Sequence, residues 1–61
     1  MPIVEIKLFD SRINDETAPK LIEKVTDAVV ECTSEKIRDE TWVVVTGLPP
    51  KQWGLGGKPL G

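Results

Sequence analysis

Residues 21–32 read LIEKVTDAVVEC, a segment with the pattern of an amphipathic helix, and the rest of the chain is organised around it. Charged residues occupy most of the side predicted to face solvent. Upstream capping residues and Pro19, which suits a first turn, predict a helix that begins between Asp15 and Ala18 and ends near Thr33. The apolar side chains recur at helical intervals and form one stripe: Leu21, Ile22, Val25, Ala28, Val29 and Cys32.

Two runs of β-forming residues flank this helix. Residues 2–9 read PIVEIKLF and alternate in character, so Val4, Ile6 and Leu8 are predicted to share one face of a strand. Residues 41–46 read TWVVVT, a short second strand rich in β-branched side chains. The unbroken apolar run within it predicts that both of its faces are covered.

The order strand, helix, strand predicts an α/β fold made of a single βαβ unit, with two parallel strands and one long helix. The chain has 61 residues and is predicted to form one domain, residues 1–61. Domains of this size bury little apolar surface, and a single cysteine cannot form an internal disulfide, so oligomerisation is expected to complete the fold. Residues 47–61 are rich in glycine and proline and are predicted to be a tail that packs on a neighbouring subunit, with a small hairpin as the alternative.

Composition argues against several classes of protein. The net charge is −2 with acidic and basic residues interspersed, so the chain lacks the basic run expected of a nucleic-acid binder. Its apolar stretches are too short to span a bilayer, and its first residues do not have the pattern of a signal peptide. There is no histidine, and one cysteine makes no zinc site of the usual spacing. These features predict a cytoplasmic protein without a metal.

Pro2 is the residue with the most distinctive chemistry. A small residue after the initiator methionine usually allows removal of Met1, which would leave Pro2 with a free secondary amine. An α-amino group has a reference pKa near ~8, and desolvation or neighbouring cations lower it. Such an amine on a rigid ring is suited to act as a general base near neutral pH.

Several features along the chain together resemble the 4-oxalocrotonate tautomerase family. The resemblance covers essentially the whole chain and depends on the order of these features: Met1-Pro2-Ile3 at the start, Arg12 after the first strand, residues 21–25 in the helix, residues 43–45 in the second strand and residues 53–57 in the tail. It implies βαβ protomers, commonly assembled as hexamers that are trimers of dimers, with active sites between subunits. It implies no cofactor.

The resemblance also implies roles for individual residues. Pro2 would be the general base of a tautomerase acting on 2-hydroxy/2-oxo unsaturated carboxylic acids, moving a proton between an oxygen and a distant carbon. Arg12 would bind the substrate carboxylate in a neighbour's site. Trp53 stands where the family commonly has a large aromatic residue that keeps the proline dry, which favours the neutral amine. The implied partner is a small carboxylate substrate.

One position departs from the family pattern. The best-known members carry a second arginine directly before the apolar run of the second strand, and this chain has Trp42 there. An arginine offers bidentate, charge-assisted hydrogen bonds, whereas an indole offers one N–H. We therefore expect inefficient turnover of the family's dicarboxylate substrate, and a smaller or monocarboxylate substrate should be less affected. The alternatives are compensation by another cation (Arg38, four residues earlier, Lys7 or Lys51) and a hetero-oligomer in which a different chain supplies the arginine.

Two other functions and several structural roles remain as alternatives. Pro2 would act as an acid in a dehalogenase or hydratase of unsaturated acids, or the chain would be a non-catalytic oligomeric homologue. Arg12 is alternatively a solvated surface charge. Trp42 and Trp53 are alternatively hydrophobic anchors at subunit contacts. Cys32 lies on the predicted apolar stripe and is expected to be buried.

Overall fold

A computed structural model describes all 61 residues. Strand β1 (Ile3–Phe9) leads through a 3₁₀ turn (Asp10–Arg12) to helix α1 (Thr17–Cys32). A second 3₁₀ turn (Glu35–Glu40) precedes strand β2 (Trp42–Leu48). A third 3₁₀ turn and two very short strands complete the chain: Pro50–Gln52, β3 (Gly54–Leu55) and β4 (Lys58–Pro59). None of the helices has the length and apolar character needed to cross a membrane.

Strands β1 and β2 pair in parallel, which confirms the predicted βαβ unit. Their register runs from Ile3 opposite Trp42 to Phe9 opposite Leu48. The alternation of β1 is as predicted, because Val4, Ile6 and Leu8 are half-buried while the residues between them are exposed. Since partners in register point to the same side of a parallel pair, one face of this two-stranded sheet packs towards α1 and the other is open.

Helix α1 begins and ends within the predicted ranges. Its start is organised by Asn14, whose Oδ1 accepts hydrogen bonds from the backbone N–H groups of Glu16 (2.8 Å) and Thr17 (2.9 Å). The same oxygen accepts from Thr17 Oγ1 at 3.0 Å. These contacts satisfy N–H groups that have no partner inside a helix. Thr33 follows the last helical residue.

The buried face of α1 differs from the predicted stripe. Val30 is the only buried residue of the chain, with 7% of its surface exposed, while Ala28 and Cys32 are exposed. The prediction that Cys32 is buried is therefore wrong. Val29 and Val30 are adjacent, so two orientations of the helix about its axis are possible, one that turns Ala28 and Cys32 inward with Val29 and one that turns Val30 inward with Val29. The orientation that buries Val30 removes a larger side chain from water than one that buries Ala28.

Strand β2 is longer than predicted and is covered on one face only. Trp42 and Val44 are 60% and 44% exposed, so the prediction that both faces are covered is wrong for the single chain. The strand also continues through Gly47 to Leu48. Gly47 pairs with Leu8, so it continues the β1–β2 ladder. A glycine is suited to this position because the backbone passes close to Asp10 and Ile13.

Gly47 is expected to be sensitive to any side chain. A Cβ at this position would lie 2.9 Å from Ile13 Cδ1 and 3.2 Å from the backbone Cα of Asp10. Replacing Gly47 with Val should lower the free energy of unfolding by about 1–3 kcal/mol through overpacking. Urea denaturation measures this change. Gly54→Val is the matched control, since its nearest atom to a new Cβ is Lys58 O at 3.6 Å, and an equal loss in both variants would contradict the packing argument.

The tail folds back on its own chain. Strands β3 and β4 form an antiparallel hairpin whose turn places Gly56 (φ 63°) and Gly57 (φ 82°) in the left-handed region that favours glycine. The N–H of Leu60 donates to Trp53 O at 2.9 Å. The hairpin was one of the two predicted forms of this segment, and its packing on a neighbouring subunit stays a prediction.

Candidate active site

Pro2 lies half-buried at the entrance to β1. Its carbonyl oxygen accepts a hydrogen bond from the backbone N–H of Trp42 at 2.9 Å, which holds it against the start of β2. Met1 precedes it, and the Met1 ammonium group forms an ion pair with Glu40 Oε1 at 3.3 Å. The amino terminus is therefore held at one edge of the sheet by a backbone hydrogen bond and a carboxylate.

Trp42 stands directly beside this terminus. It is opposite Ile3 in the register, so both side chains lie on the sheet face that α1 does not cover. Ile3 and Trp42 are 55% and 60% exposed. The open sheet face at the amino-terminal end of β1 is thus an apolar surface with an indole.

Arg12 and Trp53 lie at the other end of the sheet. Arg12 ends the 3₁₀ turn that follows β1, is exposed, and forms no ion pair within the chain. Trp53 packs edge-on against Phe9 with ring centroids 5.1 Å apart, and its Nε1–H donates to Leu48 O at 3.2 Å. These contacts fix the indole beside the carboxyl ends of both strands.

The length of β1 separates the predicted site residues into two groups. Strand residues advance about 3.3 Å each, so the seven residues of β1 place its two ends about 20 Å apart. An arginine side chain cannot span that distance. One chain therefore brings Pro2 together with Trp42, and Arg12 to the same end as Trp53, but it does not bring the two groups together.

Arg38 is engaged in contacts within its own chain. Its Nε donates to Glu35 Oε1 at 2.7 Å, and NH1 donates to Asp27 Oδ1 at 2.8 Å, which ties the second 3₁₀ turn to α1. The guanidinium lowers the pKa of Glu35, chiefly through this hydrogen bond. The two carboxylates in turn raise the pKa of Arg38. The pKa of Glu35 is lower in the folded state than in the unfolded state. The contact between Glu35 and Arg38 therefore stabilises the fold at a pH above the unfolded-state pKa of Glu35, and this stabilisation is lost as the pH falls through the folded-state pKa.

Glu40 is the residue that sequence reasoning did not assign to the site. The register of β1 and β2 places the start of β2 against Pro2, and this brings the preceding turn to the amino terminus. A register cannot be read from two apolar runs, so the sequence carried no signal for this contact.

Other candidate features lie away from Pro2. No group of three or more His, Cys, Asp or Glu side chains is arranged to hold a metal ion. A surface groove lies at the start of α1. It is lined by Asn14, Glu16, Thr17, Lys20, Leu21 and Lys24. Only one of these six residues is apolar, and none belongs to the predicted site.

The βαβ unit of this chain, with two parallel strands and one long helix, has the fold of tautomerase-fold proteins. The family model described as "Tautomerase enzyme" matches residues 2–61, so the match begins at Pro2 and runs to the last residue. The chain belongs to the tautomerase family, and its resemblance to the 4-oxalocrotonate tautomerases is confirmed. No curated protein matches it at a significant level.

Three solved structures share the fold over nearly the whole chain. A candidate 4-oxalocrotonate tautomerase from methicillin-resistant Staphylococcus aureus is 34% identical, with a TM-score of 0.81 and coverage of 95% of this chain and 90% of that one. DmpI from Helicobacter pylori is 26% identical, with a TM-score of 0.81 and coverage of 97% and 95%. A 4-oxalocrotonate tautomerase isozyme from Methylibium petroleiphilum is 29% identical, with a TM-score of 0.80 and coverage of 97% and 92%. These similarities support tautomerase superfamily function.

Proposed function

We propose that this protein is a cofactor-independent tautomerase of 2-hydroxy/2-oxo unsaturated carboxylic acids, with the Pro2 amine as general base after removal of Met1. The observation that carries the proposal is the position of Pro2. It is the second residue of a chain that matches the tautomerase family from Pro2 onwards, and it is held at the open edge of the sheet by the Trp42 N–H. An amine at this point is accessible to a small substrate.

The chemistry requires only a proton carrier and a cation. The neutral Pro2 amine removes the hydroxyl proton of the enol, and the electron pair delocalises into a dienolate. The resulting ammonium group returns the proton to carbon, so the amine is regenerated and no redox partner is needed. A guanidinium that binds the substrate carboxylate stabilises the negative charge that develops nearby. Arg12, which has no partner in its own chain, is available for that contact.

The site is proposed to form between two copies of the chain. If an edge strand runs antiparallel to the same strand of a second copy, the Pro2 end of each chain lies beside the Arg12 and Trp53 end of the other. A two-fold axis then creates two equivalent sites. Burial of only one residue in 61 supports such an assembly, because the exposed Ile3, Trp42 and Val44 need a covering surface. The family resemblance favours a homo-oligomer that is a trimer of dimers.

Trp42 is proposed to favour substrates with one carboxylate. Replacing Trp42 with Arg should raise kcat/KM for the dicarboxylate 2-hydroxymuconate, relative to the monocarboxylate phenylenolpyruvate, by about 10-fold, because it adds a charge-assisted contact. Steady-state kinetics with both substrates measures this ratio. Trp42→Gln is the control that removes the indole without adding charge. An unchanged ratio in Trp42→Arg would contradict the proposed role of this position.

A second candidate function is supported by the ion pair between the amino terminus and Glu40. A carboxylate beside an amine favours its protonated form, which is the form that a hydratase or dehalogenase would use as an acid. The pH dependence of kcat/KM tests the proposal. A tautomerase with Pro2 as base should gain activity as the pH rises through the pKa of the amine, whereas activity that falls over the same range would indicate the acid mechanism.

A further inference from the structure

We infer that a second copy of this chain pairs with the free edge of β1, antiparallel and centred on Ile6, in a register set by Glu5 and Lys7. This inference deepens the proposed function, on which it rests, because it specifies the interface that forms the proposed site between two copies. The sheet contains only β1 and β2, so each strand has one edge without a backbone partner. Glu5 and Lys7 lie on the open face of β1, are exposed and form no ion pair within the chain.

The backbone of β1 limits the possible registers. Successive residues of a strand direct their N–H and C=O groups to alternate edges, and the Pro2 carbonyl is bound to β2 through the Trp42 N–H. The odd-numbered residues of β1 therefore direct their backbone groups to the free edge: Ile3, Glu5, Lys7 and Phe9. In an antiparallel pair, residues directly opposite each other exchange both hydrogen bonds, so odd-numbered residues face odd-numbered residues. Both copies then turn their helices to the same side of a four-stranded sheet.

The charges of β1 select one of these registers. When Ile6 faces Ile6 of the second copy, Glu5 faces Lys7 and Lys7 faces Glu5, and all seven residues of the strand are paired. Moving the second copy by two residues places Glu5 opposite Glu5 in one direction and Lys7 opposite Lys7 in the other. Opposite charges directly across a strand pair are stabilising, and like charges are destabilising. The charge pattern of β1 is thus self-complementary only when the pair is centred on Ile6.

Pairing through the free edge of β2 does not fit the same requirements. Strand β2 has no charged residue, so it offers no charge pattern that selects a register. Pairing through β2 would also leave the two β1 strands three strand spacings apart, about 14 Å. Pairing through β1 brings Pro2 within one spacing, about 4.8 Å, of β1 in the other copy. It places Pro2 opposite the position of Asp10, two residues before Arg12.

The consequence is that Glu5 and Lys7 are positioning residues for the site between two copies. A slip of two residues moves Arg12 by about 7 Å along the strand, relative to Pro2 of the other copy. A hydrogen bond from the guanidinium to a substrate carboxylate does not tolerate a shift of that size. The two charged residues therefore act on the reaction through the register of the interface.

Disulfide formation tests the register directly, in chains that carry Cys32→Ser to remove the native exposed thiol. In the inferred register the two Ile6 residues form a non-hydrogen-bonded pair with Cα atoms about 4.5 Å apart, a distance that a disulfide spans. Ile6→Cys should therefore give a covalent dimer on mild oxidation. Val4→Cys is the matched control, because the two Val4 positions are about 14 Å apart, and it should remain monomeric on a non-reducing gel.

Charge reversal tests the role of Glu5 and Lys7. Glu5→Lys and Lys7→Glu each place like charges opposite each other twice, so each should raise the dissociation constant of the dimer about tenfold in analytical ultracentrifugation. Mixing the two variants restores opposite charges across the interface and should return the dissociation constant to near the wild-type value. Glu23→Lys and Lys24→Glu, on the exposed side of α1, are the matched controls and should leave it unchanged.

A covalent dimer of Val4→Cys, or the lack of one in Ile6→Cys, would overturn the inferred register. Charge reversals that weaken association no more than their α1 controls, or that mixing does not rescue, would overturn the role of Glu5 and Lys7. Far-UV circular dichroism verifies that the variants keep the fold. These measurements need no turnover, so their failure is distinct from failure of the proposed function, which is measured by the loss of activity in Pro2 variants.

Discussion

Replacement of Pro2 by Ala is expected to lower kcat/KM for ketonisation of phenylenolpyruvate by about 100-fold, the contribution typical of a positioned general base. An amino-terminal alanine keeps an amine but loses the ring that restricts its direction. Pro2 is held by its own carbonyl against Trp42, so the ring nitrogen is presented at the sheet edge in a defined orientation. Proton transfer depends on that geometry as well as on the pKa of the amine.

A matched control separates chemistry from folding. Pro19 lies on the exposed first turn of α1, where the loss of a proline should change stability and leave the reaction untouched. Pro19→Ala should therefore retain near wild-type kcat/KM, with both variants showing the same far-UV circular dichroism. Equal activity in Pro2→Ala and Pro19→Ala would remove Pro2 from the mechanism.

Mixing two inactive variants is expected to restore activity. Arg12→Ala should lower kcat/KM by about 10- to 100-fold, because a hydrogen-bonded charge pair with the carboxylate is lost. The ends of β1 are about 20 Å apart, so the proposed site takes Pro2 from one chain and Arg12 from another. When Pro2→Ala and Arg12→Ala chains are unfolded and refolded together, about a quarter of the sites should contain both native residues.

The control for this experiment is a mixture of Pro2→Ala with the double variant Pro2→Ala/Arg12→Ala. No site in that mixture contains Pro2, so its activity should stay at the level of the Pro2→Ala protein. Recovery near a quarter of wild-type activity in the first mixture supports a shared site. Absence of recovery, when native mass spectrometry shows that mixed oligomers have formed, would contradict it.

The elements of the fold could be predicted from local patterns, but their faces and ends could not. Alternation in β1 and the helical period of α1 are local properties, and both elements were found within the predicted bounds. Which side chains of α1 face the sheet depends on how side chains pack across the layers. Val30 is buried, whereas Cys32, which the apolar stripe predicted to be buried, is exposed. The extension of β2 through Gly47 likewise depends on a tertiary contact, with Ile13.

The candidate site shows the same division. Pro2 and Arg12 could be named from residue type and order, because their chemistry is carried by single side chains. Their separation follows from the length and direction of β1, which requires the parallel register. The contact of Glu40 with the amino terminus requires that register as well as the 3₁₀ turn before β2. Neither is encoded in a short motif.

The central claim is that a free Pro2 amine is the proton carrier, and covalent blocking of that nitrogen tests it most directly. Two preparations of the same sequence are compared, one shown by intact mass to begin at Pro2 and one that retains Met1. With Met1 in place the Pro2 nitrogen is an amide and cannot accept a proton. We expect kcat/KM for phenylenolpyruvate to be about 100-fold higher in the preparation that begins at Pro2. Equal rates in the two preparations would contradict the account.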